Sequence, residues 1–132
     1  MQTKIAKFIQ AQKILTIRAD SCLQDAPMSP FTNLLGDVPT DSPDELVQTL
    51  LKLPPVRIER IVSYGHHSPN DLWYDQPENE WVLLIAGAAR LRLEDEIIEM
   101  TPGSFVNIPA HRRHRVDWTD PKQATIWLAV WW

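Results

Sequence analysis

Residues 80–93 read EWVLLIAGAARLRL, and residues 101–116 read TPGSFVNIPAHRRHRV. In the first stretch the apolar run Trp81–Ala86 stops at Gly87, and Ala88–Leu93 then alternates apolar and basic residues. In the second, Thr101-Pro102-Gly103 is a turn, Phe105–Ile108 is a short strand closed by Pro109, and His114–Trp118 follows as another. Alternation with period two places every second side chain on one buried face of a strand. Pro109 ends its strand without wasting a ladder donor.

The same rhythm extends outward. Val56–Ser63 alternates, HHSPND (66–71) is a loop, and Leu72–Gln76 is a short strand broken by Pro77. Glu96–Met100 is a strand after the turn at Glu94-Asp95, and Ala124–Trp132 is a final β-rich run after Thr119-Asp120-Pro121-Lys122. About eight short strands with turns roughly every 8–12 residues predict an antiparallel sandwich or barrel. No strand–helix alternation and no internal repeat is visible.

Upstream the pattern changes. Ser42 as N-cap, Pro43 at the first helical position, Glu45 completing a capping box and the leucines 46, 50, 51 and 53 predict a helix over 43–53, stopped by Pro54-Pro55. Residues 1–40 read as a loop-rich extension, with a short helical stripe over Lys4–Leu15 and a loop around Pro30, Gly36 and Pro39. The expected organisation is therefore an extension, 1–40, and a β domain, 41–132, led by helix 43–53.

Composition narrows the function classes. The 132 residues are 44% hydrophobic and 23% charged, with a formal net charge of −4. Such a chain builds one ordinary globular core. The negative balance argues against nucleic acid or an anionic membrane as partner. The longest apolar run, Trp81–Ala89, is far short of the ~20 residues that span a bilayer. A single cysteine, Cys22, excludes an intrachain disulfide and a cysteine-rich zinc site, and fits a reducing, cytoplasmic location.

The chemistry-bearing residues are few. Four histidines come as two pairs, His66 with His67 and His111 with His114; Asp71, Asp75, Glu78 and Glu80 lie nearby. Histidine with carboxylate suits Mn, Fe, Ni, Cu or Zn. No Walker loop, G-x-G-x-x-G or G-x-S-x-G is present.

Glu80, six residues, then Gly87, and Gly103, five residues, Pro109, then His114 are spacings that resemble the two motifs of a small single-domain cupin. The resemblance covers residues 56–132 well and 29–55 loosely. It implies an all-β, cupin-type antiparallel barrel (a double-stranded β-helix or jelly roll), here with a short N-terminal helical extension. It also implies that Glu80 points into the barrel, which by parity takes Val82 and Leu84 inward too, and that His114 faces the same cavity. Small cupins commonly pair, so a homodimer is expected.

The departures are as informative. The first cupin motif normally supplies H-x-H three or four residues before the glutamate. Here those slots hold Trp73 and Asp75, or Tyr74 and Gln76. The expected metal ligands are Glu80, His114 and Asp75, with His67 or His111 as further candidates. The ion would be a divalent transition metal (Mn, Fe, Ni or Zn). The expected pocket residues are Trp73, Tyr74, Val82 and Leu84. Trp81, Trp127, Trp131 and Trp132 belong to a core or a dimer interface, and Trp127 and Trp131 share a face. Arg112, Arg113 and Arg115 form a basic edge at the rim.

Two functions of different class follow. One is a metal-dependent cupin acting on a small polar molecule, by oxygenase, isomerase or lyase chemistry. The other is a metal-free cupin that binds or senses a small molecule without catalysis. The missing H-x-H favours the second; the retained Glu80 and His114 favour the first.

Overall fold

The computed structural model describes residues 33–132. The expected stripe over Lys4–Leu15, Cys22 and Pro30 lie outside the described residues.

The alternation in residues 80–93 folds as two strands turning at Gly87, where φ is +89°. A Cβ there would sit 2.5 Å from Thr125 Oγ1 and 2.6 Å from its Cα, so both the conformation and the close approach require glycine. In chain order the strands are β1 (Leu46–Leu53), β2 (Val56–Ser63), β3 (Glu80–Ala86), β4 (Ala89–Leu93), β5 (Ile97–Met100), β6 (Phe105–Ile108), β7 (His114–Thr119) and β8 (Thr125–Trp131). They form a five-stranded sheet, β1-β2-β8-β3-β6, and a three-stranded sheet, β5-β4-β7. Every pairing is antiparallel. Among the described residues there is no helix, and so none long and apolar enough to cross a membrane.

The inward faces of both sheets build one core. Leu84 is fully buried, Ala129 equally so, and Leu91, Met100 and Ile108 are nearly so. Removing a side chain such as Leu84 from this interior would cost about 2–5 kcal/mol. Glu80, Val82 and Leu84 alternate inward as expected, and Trp127 and Trp131 share the inner face of β8.

The structure overturns two expectations. Residues 43–53 do not form a helix: Leu46–Leu53 is strand β1, paired with β2 from Leu46↔Val62 to Leu53↔Val56. Of the leucines that suggested a helical stripe, Leu46 is half-buried and Leu50, Leu51 and Leu53 are exposed, Leu53 being 68% accessible. Ser42 Oγ still accepts the Asp44 N–H at 3.3 Å, but as a local turn, and Glu45 accepts instead from Ser63 Oγ at 2.5 Å. Pairing with β2 satisfies backbone donors that a peripheral helix would have left on an open sheet edge. Leu72–Gln76 likewise forms no strand. It makes a single antiparallel bridge, Tyr74↔His114, alongside β7.

Candidate ligand site in the barrel

The bridge at Tyr74 decides what enters the barrel. The Tyr74 N–H donates to His114 O at 2.8 Å, and the His111 N–H donates to Gln76 O at 2.7 Å. This keeps residues 74–76 extended, so alternate side chains face opposite ways. Tyr74 and Gln76 line the cavity. Asp75 turns outward, half exposed, with its Oδ1 2.8 Å from His111 Nδ1. Trp73 also faces away from the cavity and lies under Arg113, whose guanidinium carbon is 5.4 Å from the ring centroid.

The cavity is about 80 Å³. At one wall Glu80, from the start of β3, meets His114, from the start of β7, with His114 Nε2 3.3 Å from Glu80 Oε2. Both residues are buried. Gln76 Nε2 donates to the same carboxylate oxygen at 2.9 Å. His114 Nδ1 donates to Arg112 O at 2.8 Å, which leaves Nε2 directed at Glu80. Tyr74 stacks on the imidazole with centroids 5.3 Å apart.

Burial draws the His114 pKa down, but the Glu80 hydrogen bond and charge, with the Arg112 carbonyl, outweigh it, and the pKa ends above its usual 6.5. Burial and then the nearby Glu45 charge push the Tyr74 phenol well above its usual 10.0, so the ring stays neutral.

Two more carboxylates reach the cavity, Glu45 and Glu59. Burial raises the Glu45 pKa above 4.5; the Ser63 hydrogen bond and the His66 charge pull the other way less strongly. Glu59 is 1% exposed and its Oε1 lies 2.5 Å from Arg57 Nε. Sequence reasoning misses both: Glu45 reads as part of a helix cap, and Glu59 as one residue of an alternating strand. The parity of β2, which turns Glu59 and Ile61 the same way, was the signal available.

The expected ligand set is therefore corrected. Glu80 and His114 come together as anticipated. Asp75 does not join them, because the extended backbone turns positions 73 and 75 outward. His111, at φ +63°, is exposed and faces Asp75. His67 is exposed, with Nδ1 2.9 Å from Ser68 O. His66 spends both ring nitrogens on backbone, Nδ1 accepting from Tyr64 N–H and Nε2 donating to Pro43 O. Of the expected pocket residues Tyr74 and Val82 line the cavity, whereas Leu84 lies deeper in the core and Trp73 outside. Among the described residues no three His, Cys, Asp or Glu side chains converge on a common point. The arginines at 112, 113 and 115 are each paired with an acid, Asp95, Glu94 and Asp117 respectively.

Residues 61–131 match the cupin domain family model. The chain belongs to the cupin family. A protein described as a putative mannose-6-phosphate isomerase from Ralstonia eutropha JMP134 is 45% identical, with a TM-score of 0.76, covering 78% of this chain and 97% of that one. A cupin superfamily protein from Desulfitobacterium hafniense DCB-2 is 17% identical at a TM-score of 0.64, over 78% of this chain and 91% of its own. A conserved protein of unknown function from Streptococcus pyogenes is 18% identical at 0.63, over 81% and 90%. The last two show the fold alone. No curated protein matches the chain.

In cupins that carry a metal, the two first-motif histidines, the glutamate and the second-motif histidine hold the ion. In this cupin the four positions are Tyr74, Gln76, Glu80 and His114. A neutral phenol and an amide replace two imidazoles, and the remaining pair are bonded to each other. This set offers one imidazole where those cupins offer three, and so does not fit the nitrogen-rich site of Fe, Ni or Zn.

Proposed function

We propose that this cupin binds a compact small molecule in its barrel without a resident metal. One observation carries the reading: Tyr74 and Gln76, the side chains that face the cavity from the first-motif slots, lack the basic nitrogen that a borderline metal ion needs. The rest of the wall supports it, being largely apolar with a few placed polar groups, as small-molecule sites generally are. The protein would act in the cytoplasm as a homodimer.

Elemental mass spectrometry on tag-free protein, purified without chelator and then offered Mn, Fe, Ni and Zn, tests the reading. The expected result is well below one ion per chain. Near-stoichiometric metal, lost in folded Glu80→Ala and His114→Ala variants, would overturn it.

A second reading, isomerase activity, is favoured by the description of the Ralstonia protein and its 45% identity. The Glu80–His114 pair can give and take a proton, which isomerisation of a sugar requires. The fold alone selects no reaction. Turnover of mannose 6-phosphate that disappears in Glu80→Ala would establish this reading instead.

A further inference from the structure

The charges around the cavity say what kind of molecule it takes, granted that it binds one without metal. Three acids line it, Glu45, Glu59 and Glu80, against one basic side chain, His114; Glu59 and Glu80 already have cationic neighbours, and Glu45, whose charge burial disfavours, would be stabilised as a carboxylate by an incoming cation. That imidazole is already committed to Glu80 at 3.3 Å. Arg57, which lies over the Trp131 ring of the wall, is shared between Glu59 and Glu78, with N–O distances of 2.5 and 3.2 Å. No cationic group among the lining residues is left to receive a phosphate or carboxylate, and burying another anion here would be costly.

The hydrogen bonds point the same way. Trp127 Nε1 donates to Ser63 Oγ at 3.1 Å, and Ser63 Oγ donates to Glu45 Oε1 at 2.5 Å. The relay delivers its donors to Glu45 and stops at a carboxylate on the cavity wall. On Glu80 the two donors both reach Oε2, and Oε1 carries no hydrogen bond among the described residues. The rings of Tyr74, Trp127 and Trp131 complete the wall, and Trp131 already has Arg57 over its face, 5.0 Å from the centroid. Aromatic faces with carboxylates favour organic cations.

A second, independent feature asks for a ligand acceptor. Trp131 is 7% exposed, and its indole N–H has no hydrogen-bond partner among the described residues. A buried donor without an acceptor costs stability unless something fills the role.

We infer that the cavity takes a small organic cation with a hydrogen-bond acceptor beside it, such as a compact amino alcohol, held by Glu80 and Glu45. The same carboxylates would repel phosphorylated sugars, so this inference and the isomerase reading predict opposite results.

The test uses the full chain at neutral pH and three probes of matched shape: aminomethylpropanol (a cation), neopentyl alcohol (neutral) and hydroxypivalate (an anion), with mannose 6-phosphate as a fourth. Calorimetric titration gives affinity, and the tryptophan indole N–H signals in NMR report contact. The expected order is cation first, by at least about tenfold over the neutral probe, with no binding of either anion. Glu80→Gln and, separately, Glu45→Gln, each checked for native circular dichroism, should each cut the cation's affinity by more than they cut the neutral probe's, so that the ratio between the two falls toward one.

Equal binding of cation and neutral probe, or preference for an anion, overturns this inference and leaves the metal-free binding reading standing. Binding by none of the probes also overturns it. Stoichiometric metal in the elemental analysis overturns the reading beneath it.

Discussion

Nε2 of His114 lies 3.3 Å from Oε2 of Glu80, although the two residues stand 34 positions apart in the chain and on different sheets. The contact closes one wall of the cavity and ties the three-stranded sheet to the five-stranded one.

That pair should make stability depend on pH. The Glu80 hydrogen bond and charge outweigh burial and hold the folded His114 pKa above 6.5. A raised histidine pKa stabilises the fold fully below the unfolded value and loses that contribution as pH rises through the folded one. Melting temperature should therefore decline from about pH 6.5 upward in the wild type. His114→Gln should lose most of this slope. Parallel profiles for the two proteins would show that the pair is not linked to folding.

Restoring the first-motif histidines should create a metal site. Positions 74 and 76 face the cavity beside Glu80 and His114, so Tyr74→His with Gln76→His should take up about one nickel or zinc ion per chain. Trp73→His with Asp75→His, on the outward positions beside His111, should take up no ion whose binding depends on Glu80. Elemental analysis after dialysis, repeated with Glu80→Ala added to each, distinguishes them, and uptake by the 74/76 variant that survives Glu80→Ala would contradict the assigned parity.

Two turn glycines should differ sharply. Gly87→Ala forces both a positive φ and a Cβ 2.5 Å from Thr125 Oγ1, whereas Gly103→Ala, at φ +94°, meets nothing within 4 Å. Urea unfolding should show a loss of about 3 kcal/mol or more for the first and about 1 kcal/mol for the second. Similar losses would mean that the packing at Gly87 is unimportant.

The proposed dimer has a natural surface. Across the face of the large sheet opposite the cavity, register aligns Leu51, Ile58, Val130 and Trp81 in one row. Phe105 stands beside Trp81, 5.5 Å between centroids, and is 64% exposed. A contiguous row of partly exposed apolar side chains is the kind of surface that a partner covers. Phe105→Lys should shift the mass seen by light scattering from dimer to monomer at micromolar concentration. A wild-type monomer would refute the assembly.

Much of this protein was written into its local sequence. Period-two alternation and the glycine and proline spacings located β2 through β8 within a residue or so, because each strand there has one face in the core and repeats accordingly. Parity put Trp127 and Trp131 on one face and, once the cupin resemblance set Glu80 inward, took Val82 and Leu84 with it.

Tertiary structure alone decided the rest. The Ser42–Leu53 segment carries helix signals stronger than its strand signals, and only the open edge of β2 makes a strand of it. Whether 73 and 75 or 74 and 76 face the cavity is a choice of parity, and a choice of parity has no local signature. One backbone bridge, Tyr74 to His114, settles it by joining residues 40 positions apart. The same limit hid Glu45 and Glu59: a carboxylate looks alike in sequence whether it faces water or a cavity, and only the closed barrel determines which.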